Sequence, residues 1–186
     1  MPISADPPTF ASSTFNSAPS EGHGIAMRSP ASGLPMERLA ALGLQLPPPA
    51  LPVGAYEPWQ RVGTLITTSF QLPWQGDRLA FTGRLGETLS IMQGREAAVF
   101  CALQGMAQLA SAADGDLNRI RLIRVDGHVG CVPGFRHIPQ VLDAASTLLR
   151  DVFEPRGRHA RTALGHQVMP LDAPVMLGFL AELVSG

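Results

Sequence analysis

The sequence predicts an α/β domain with one mixed β-sheet and two helices packed on one of its faces. Three observations predict it. The apolar pattern switches between strand-like and helix-like periods in the order β-β-α-β-α-β-β. Only two stretches, from Ser90 to about Ala113 and from Pro139 to about Phe153, carry a long helical stripe. The final stretch, Val175 to Val184, is apolar on both faces, and such a strand needs cover on both sides. Two helices can cover one face, so a second subunit is expected over the other.

Each element has a local reason. Met36 to Leu42 reads as a short helix stopped by Gly43. Pro47-Pro48-Pro49 makes a stiff connector. Val62 to Gln71 is rich in β-branched residues and reads as one strand, with Arg78 to Thr82 as its partner across the turn residues Gln75-Gly76-Asp77. Ser90 caps the first long helix, and Asp114-Gly115 ends it. Ile120 to Val129 reads as a strand whose alternation slips at Leu122-Ile123, predicting a bulge or burial on both faces. Residues 160–169 form another strand, and Pro170 and Pro174 bracket the turn into the last.

The chain has 186 residues, a length suited to one domain. Ten of its 17 prolines lie at or before Pro52. Residues 1–34 are poor in groups that can form a core and read as a disordered low-complexity tail. Residues 35–51 read as a short helix and proline-rich connector, and 52–186 as the compact domain.

Composition excludes several functions. The net charge is −1, and from Tyr56 onward 12 Arg face 12 acidic residues, so no basic groove for nucleic acid is expected. All 14 basic residues are Arg. With no Lys there is no Schiff base and no P-loop lysine. Cys101 and Cys131 form no C-x-x-C pair, which fits a reducing, cytoplasmic setting. No apolar run approaches the ~20 residues of a membrane-spanning helix. The five histidines, 23, 128, 137, 159 and 166, have no helical i, i+4 spacing, so no metal is expected. Asp126, His128 and Cys131 are close in sequence, but strand alternation turns Cys131 away from the other two. The densest polar segment is Arg156 to Thr162. Within it Arg161 stands at the start of a strand, where its planar fork can hold a carboxylate.

Four segments then resemble the YjgF/RidA family of reactive-intermediate deaminases, also known as L-PSP endoribonuclease-like proteins. They are Pro52-Val-Gly-Ala-Tyr56, Thr68-Ser-Phe-Gln-Leu-Pro73, Gly157-Arg-His-Ala-Arg-Thr162 and Met169-Pro-Leu-Asp-Ala-Pro-Val175, in that order. The stretch from Leu42 to Tyr56 is similar to the longer subgroup. The resemblance implies a chorismate-mutase-like fold and a homotrimer with a central barrel and sites in the clefts between subunits. It implies hydrolysis of enamine or imine acids to keto acids and ammonia, with no cofactor. By the resemblance, Arg161 holds the substrate carboxylate, with its charge free for the ligand. Tyr56, Ser69 and the backbone N–H of Phe70 line the same site.

The sequence departs from the family pattern at four places. Phe70 replaces a glycine, Met176 the glutamate that positions water, Asp143 an asparagine and Ala163 a cysteine. Asp143 thereby brings a carboxylate toward the site. Two functions remain open on these residues. One is an imine or enamine deaminase; the other is a trimer that binds small imine or keto acids, or a partner, without catalysis.

Overall fold

The structure, a computed structural model, describes residues 34–185. The tail read over residues 1–34 lies outside these, apart from Leu34. Helix α1 spans Pro35–Ala41. Pro35 occupies the first turn, where a missing N–H costs nothing. The Glu37 carboxylate accepts the Leu34 N–H at 2.9 Å. Arg38 ties α1 to the end of a later helix, donating to Val152 O at 2.9 Å and Glu154 Oε2 at 2.8 Å.

The predicted strand from Val62 to Gln71 is instead a hairpin. Strand β1 is Trp59–Val62 and β2 is Leu65–Thr68, paired antiparallel from Trp59 opposite Thr68 to Val62 opposite Leu65. The turn is Gly63-Thr64, and Gly63 takes φ +61°, a conformation open to glycine at no steric cost. Arg78–Thr82 is not the partner of this hairpin. Strand β3, Trp74–Gln75, pairs with β4, Arg78–Leu79, in a separate two-stranded ribbon. Gly76 at φ +66° closes it, so the expected turn forms but joins a smaller pair.

Helix α2 runs Ile91–Ala112. Ser90 Oγ accepts the Gln93 N–H at 3.3 Å and Gln93 Oε1 accepts the Ser90 N–H at 2.9 Å, a reciprocal cap. Strand β5, Ile120–Gly130, follows, then α3, Ile138–Phe153, β6, Ala160–His166, and β7, Val175–Leu183. The main sheet has the order β1-β2-β7-β5-β6, parallel only between β5 and β6. The result is a mixed α/β fold with a mostly antiparallel sheet and three helices.

Of the two outcomes expected at Leu122-Ile123, the bulge is the one present. Leu122 pairs with Ala181 and Arg124 with Leu180, leaving Ile123 unpaired. Ile120, Leu122, Val125 and Val129 are all buried under the helices. The same face carries Val175, Leu177, Phe179 and Ala181 from β7 and Ile66 from β2. Both long helices approach it closely. A Cβ at Gly105 of α2 would fall 2.1 Å from the Phe179 ring, and one at Gly127 of β5 would fall 2.4 Å from Leu142 of α3. Two buried glutamines on α2 hold the connector: Gln108 Nε2 donates to Ala50 O at 2.7 Å and Gln104 Oε1 accepts the Ala50 N–H at 3.3 Å. The opposite face of the sheet has no helix among the described residues.

Candidate functional site

Alternation divides the expected site residues between the two faces. Arg161 lies opposite Val125 in the β5–β6 register and therefore faces the helices. Its Nη1 donates to Asp143 Oδ1 of α3 at 2.8 Å and to Ser146 Oγ at 3.1 Å. The chain of contacts continues. His159 Nδ1 lies 2.7 Å from Gly157 O, which can only accept, so that nitrogen carries a proton. The His159 Nε2, 3.2 Å from Ser146 Oγ, is then the acceptor for the serine hydroxyl. Burial pushes the His159 imidazole below its ordinary range; the Gly157 hydrogen bond opposes this, and the Arg161 and Arg150 charges reinforce it.

The free charge expected at Arg161 is thus already balanced by Asp143 of the same protomer, and the clamp does not survive in its unpaired form. Position 143, where the resemblance expects a neutral asparagine, supplies the balancing carboxylate. The pairing is one-sided. Asp143 and Ser146 both use Nη1, and among the described residues Nε and Nη2 make no hydrogen bond. The Asp143 side chain is 54 % exposed, against 24 % for Arg161. Exposed ion pairs contribute about 0–1 kcal/mol.

Phe70 and Met176 lie on the helix-free face. Met176 pairs with His128 across β7 and β5. The Phe70 ring rests on Gly178, where a Cβ would come 3.0 Å from it, and meets the His128 ring edge-on at 4.7 Å. His128 Nδ1 is 2.6 Å from His166 Nε2, with ring centroids 4.7 Å apart and planes 19° apart. So short an N···N contact at that centroid distance is a hydrogen bond in the plane of the rings, not a face-to-face stack. Burial holds His128 below the ordinary imidazole range, helped by His166 and opposed by Asp126. Asp126 itself lies below the usual carboxylate range. Burial alone would raise it, but the Thr162 hydroxyl and Arg124 outweigh that. Arg124 Nε donates to Asp126 Oδ1 at 2.7 Å and Nη2 to Thr162 Oγ1 at 2.7 Å.

Tyr56 and Ser69 belong to the segments flanking the first hairpin. Tyr56 Oη accepts the Val53 N–H at 3.3 Å, folding the ring onto its own loop. Ser69 Oγ donates to Glu57 O at 2.7 Å, which sets it beside the residue after Tyr56. Among the described residues the Phe70 N–H has no acceptor. The structure therefore joins Arg161 to Asp143, and Phe70 to the strand of Met176, but makes no contact between these two sets. The missed neighbours are Ser146 and His159 on one face and His128 and His166 on the other. Cys131 lies away from His128: a Cβ at Gly165 would meet both its sulfur and Ile138 on the helix side. Burial raises both thiols, so neither is a ready nucleophile. Among the described residues no three His, Cys, Asp or Glu side chains gather as a metal site requires, and no helix is long and apolar enough to cross a membrane.

This sheet and its two covering helices make a mixed α/β fold consistent with the chorismate-mutase-like one. The chain belongs to the family described as "YjgF/chorismate mutase-like, putative endoribonuclease", whose profile matches residues 36–183. It is 38% identical over 155 residues to Protein TCP17 of Trypanosoma cruzi, covering 82% of this chain and 96% of that one. Among solved structures, it is similar to a putative endoribonuclease from Shewanella oneidensis at 36% identity and a TM-score of 0.78, covering 81% of this chain and all of that one (100%). A protein of unknown function from Agrobacterium tumefaciens gives 34% and 0.76, covering 82% and 94%.

Proposed function

We propose that this chain is a YjgF-type protein that binds small imine or enamine acids by their carboxylate and hydrolyses them to keto acid and ammonia. The observation that carries the reading is the Arg161 guanidinium, tethered through Nη1 alone with its Nε–Nη2 edge left over. That edge can take a carboxylate through two parallel bonds. Asp143 and Ser146 occupy only Nη1, so a ligand acid can engage the other two nitrogens without first breaking the tether. The tether also fixes the fork in advance, which reduces the ordering cost of binding.

Arg161 and the Phe70–Met176 patch lie on opposite faces of one sheet. A single small acid reaches both only where Arg161 of one copy meets the patch of another, as in the cleft of a homotrimer. Sedimentation of a stable monomer would remove that arrangement. A second reading, acid binding without turnover, is favoured by Met176, which has no group to take a proton from water, and by the charge balance at Asp143.

The test is keto-acid release from freshly generated 2-iminopropionate. Arg161→Ala should fall to the spontaneous rate. Asp143→Asn should bind small 2-keto acids about fivefold more tightly, the equivalent of about 1 kcal/mol of restored charge. Equal rates for wild type and Arg161→Ala would remove the catalytic reading. Calorimetric binding without turnover would establish the second one.

A further inference from the structure

We propose that His128 is the general base that activates water in this chain, with His166 as its positioning residue. The inference rests on the deaminase reading above and supplies what that reading lacks. Met176 stands where the resemblance expects a proton-accepting glutamate. The side chain opposite it in the sheet, on the same face, is His128. The substitute base is therefore one strand over.

The surroundings suit that role. The Phe70 ring lies T-shaped to the imidazole at 4.7 Å, Met176 is the cross-strand neighbour of His128, and the Phe70 N–H, in the segment the resemblance expects to bind the ligand's polar atoms, has no acceptor among the described residues. Burial keeps the ring in its neutral, accepting form at neutral pH. The contact at 2.6 Å to His166 Nε2 fixes the ring orientation. With the proton on His128 Nδ1 donated to His166, His128 Nε2 carries the lone pair. The charged groups facing the pair are Asp126 and, beyond it, Arg124 on β5. Phe70 and, from β7, Met176 and Gly178 carry no charge, and the β6 side chain in contact is His166 itself.

The step balances without an oxidant or cofactor. As the water oxygen bonds to the carbon of the protonated imine, His128 Nε2 takes one water proton and the C=N π pair becomes the amine lone pair. The imidazolium then returns that proton to the amine. The C–N bond breaks with its electrons leaving on ammonia, the hydroxyl gives its proton to the again neutral His128 Nε2 to form the keto acid, and ammonia carries that proton away as ammonium.

The experiment measures kcat and KM against pH for imine-acid hydrolysis in the full-length chain. Wild type should show an acid limb below the ordinary imidazole range, because activity is lost as His128 protonates. His128→Gln should lower kcat about a hundredfold or more with little change in KM and abolish that limb. His166→Gln should move the limb, and added imidazole should partly restore His128→Ala. A purely structural role would give neither the moved limb nor the rescue. Wild-type kcat in His128→Gln, or a reduced kcat that keeps the original limb, overturns the inference while leaving the deaminase reading intact. If wild type does not exceed spontaneous hydrolysis, both fall.

Discussion

The two faces of the sheet obey different rules. Under the helices, Ile66, Val125, Leu177 and Phe179 are almost wholly buried, and glycines stand where the backbones come closest. On the other face, Arg124, Asp126, Thr162, His128 and His166 hold one another through short polar contacts, with Phe70 and Leu164 exposed beside them. The first face is made specific by volume. The second is made specific by proton positions and charge, and it can change its chemistry without changing the fold. Met176, where the resemblance expects a glutamate, lies on this second face, so an exchange there leaves the covered core untouched.

Three changes test the contrast. The largest effect is expected from Phe179→Ala, which should cost about 3–5 kcal/mol in a denaturant titration, because the ring is packed against α2 and its loss leaves a cavity. A loss below 1 kcal/mol would mean the covered face is loosely packed. Next is Gly105→Ala. Helix propensity favours alanine by about 1 kcal/mol, but the new methyl meets the buried Phe179 ring, and overpacking costs about 1–3 kcal/mol. Unfolding should show a net destabilisation, and a gain in stability would show that the ring can move aside. The smallest effect is on acidification. His159 and His128 both have folded pKa values below their unfolded ones, so the folded state resists their protonation. Stability should begin to fall as pH drops below the unfolded imidazole value and keep falling until their folded pKa values are passed. Asp126, also depressed, extends the loss at lower pH as it protonates. His128→Gln should flatten part of the upper decline, and an unchanged slope would place the effect elsewhere.

The covered face was the more legible in sequence, because its signals are local. Ser90 announces the start of α2, and the slip at Leu122-Ile123 marks the bulge. The hairpin was hidden because Gly63-Thr64 sits inside a run of strand-forming residues, and a two-residue turn barely interrupts the pattern. Arg161 stood out by position and type, and Asp143 was visible as a departure. Their pairing depended on α3 lying alongside β6, which no local pattern states. The His128–His166 contact joins residues 38 positions apart on parallel neighbouring strands. Read one at a time, each is only a scattered histidine.

The spare residue in β5 works as an expansion joint. Ile120 and Leu122 point inward on even numbers, whereas Val125 and Val129 do so on odd ones, and Ile123 takes up the difference. A chain shortened by Ile123 alone would keep every later side chain of the strand on its present side, with His128 still beside Met176. Loss of a residue from the strand between Arg124 and His128 has no such slack to draw on, and would carry the histidine through the sheet into the hydrocarbon interior.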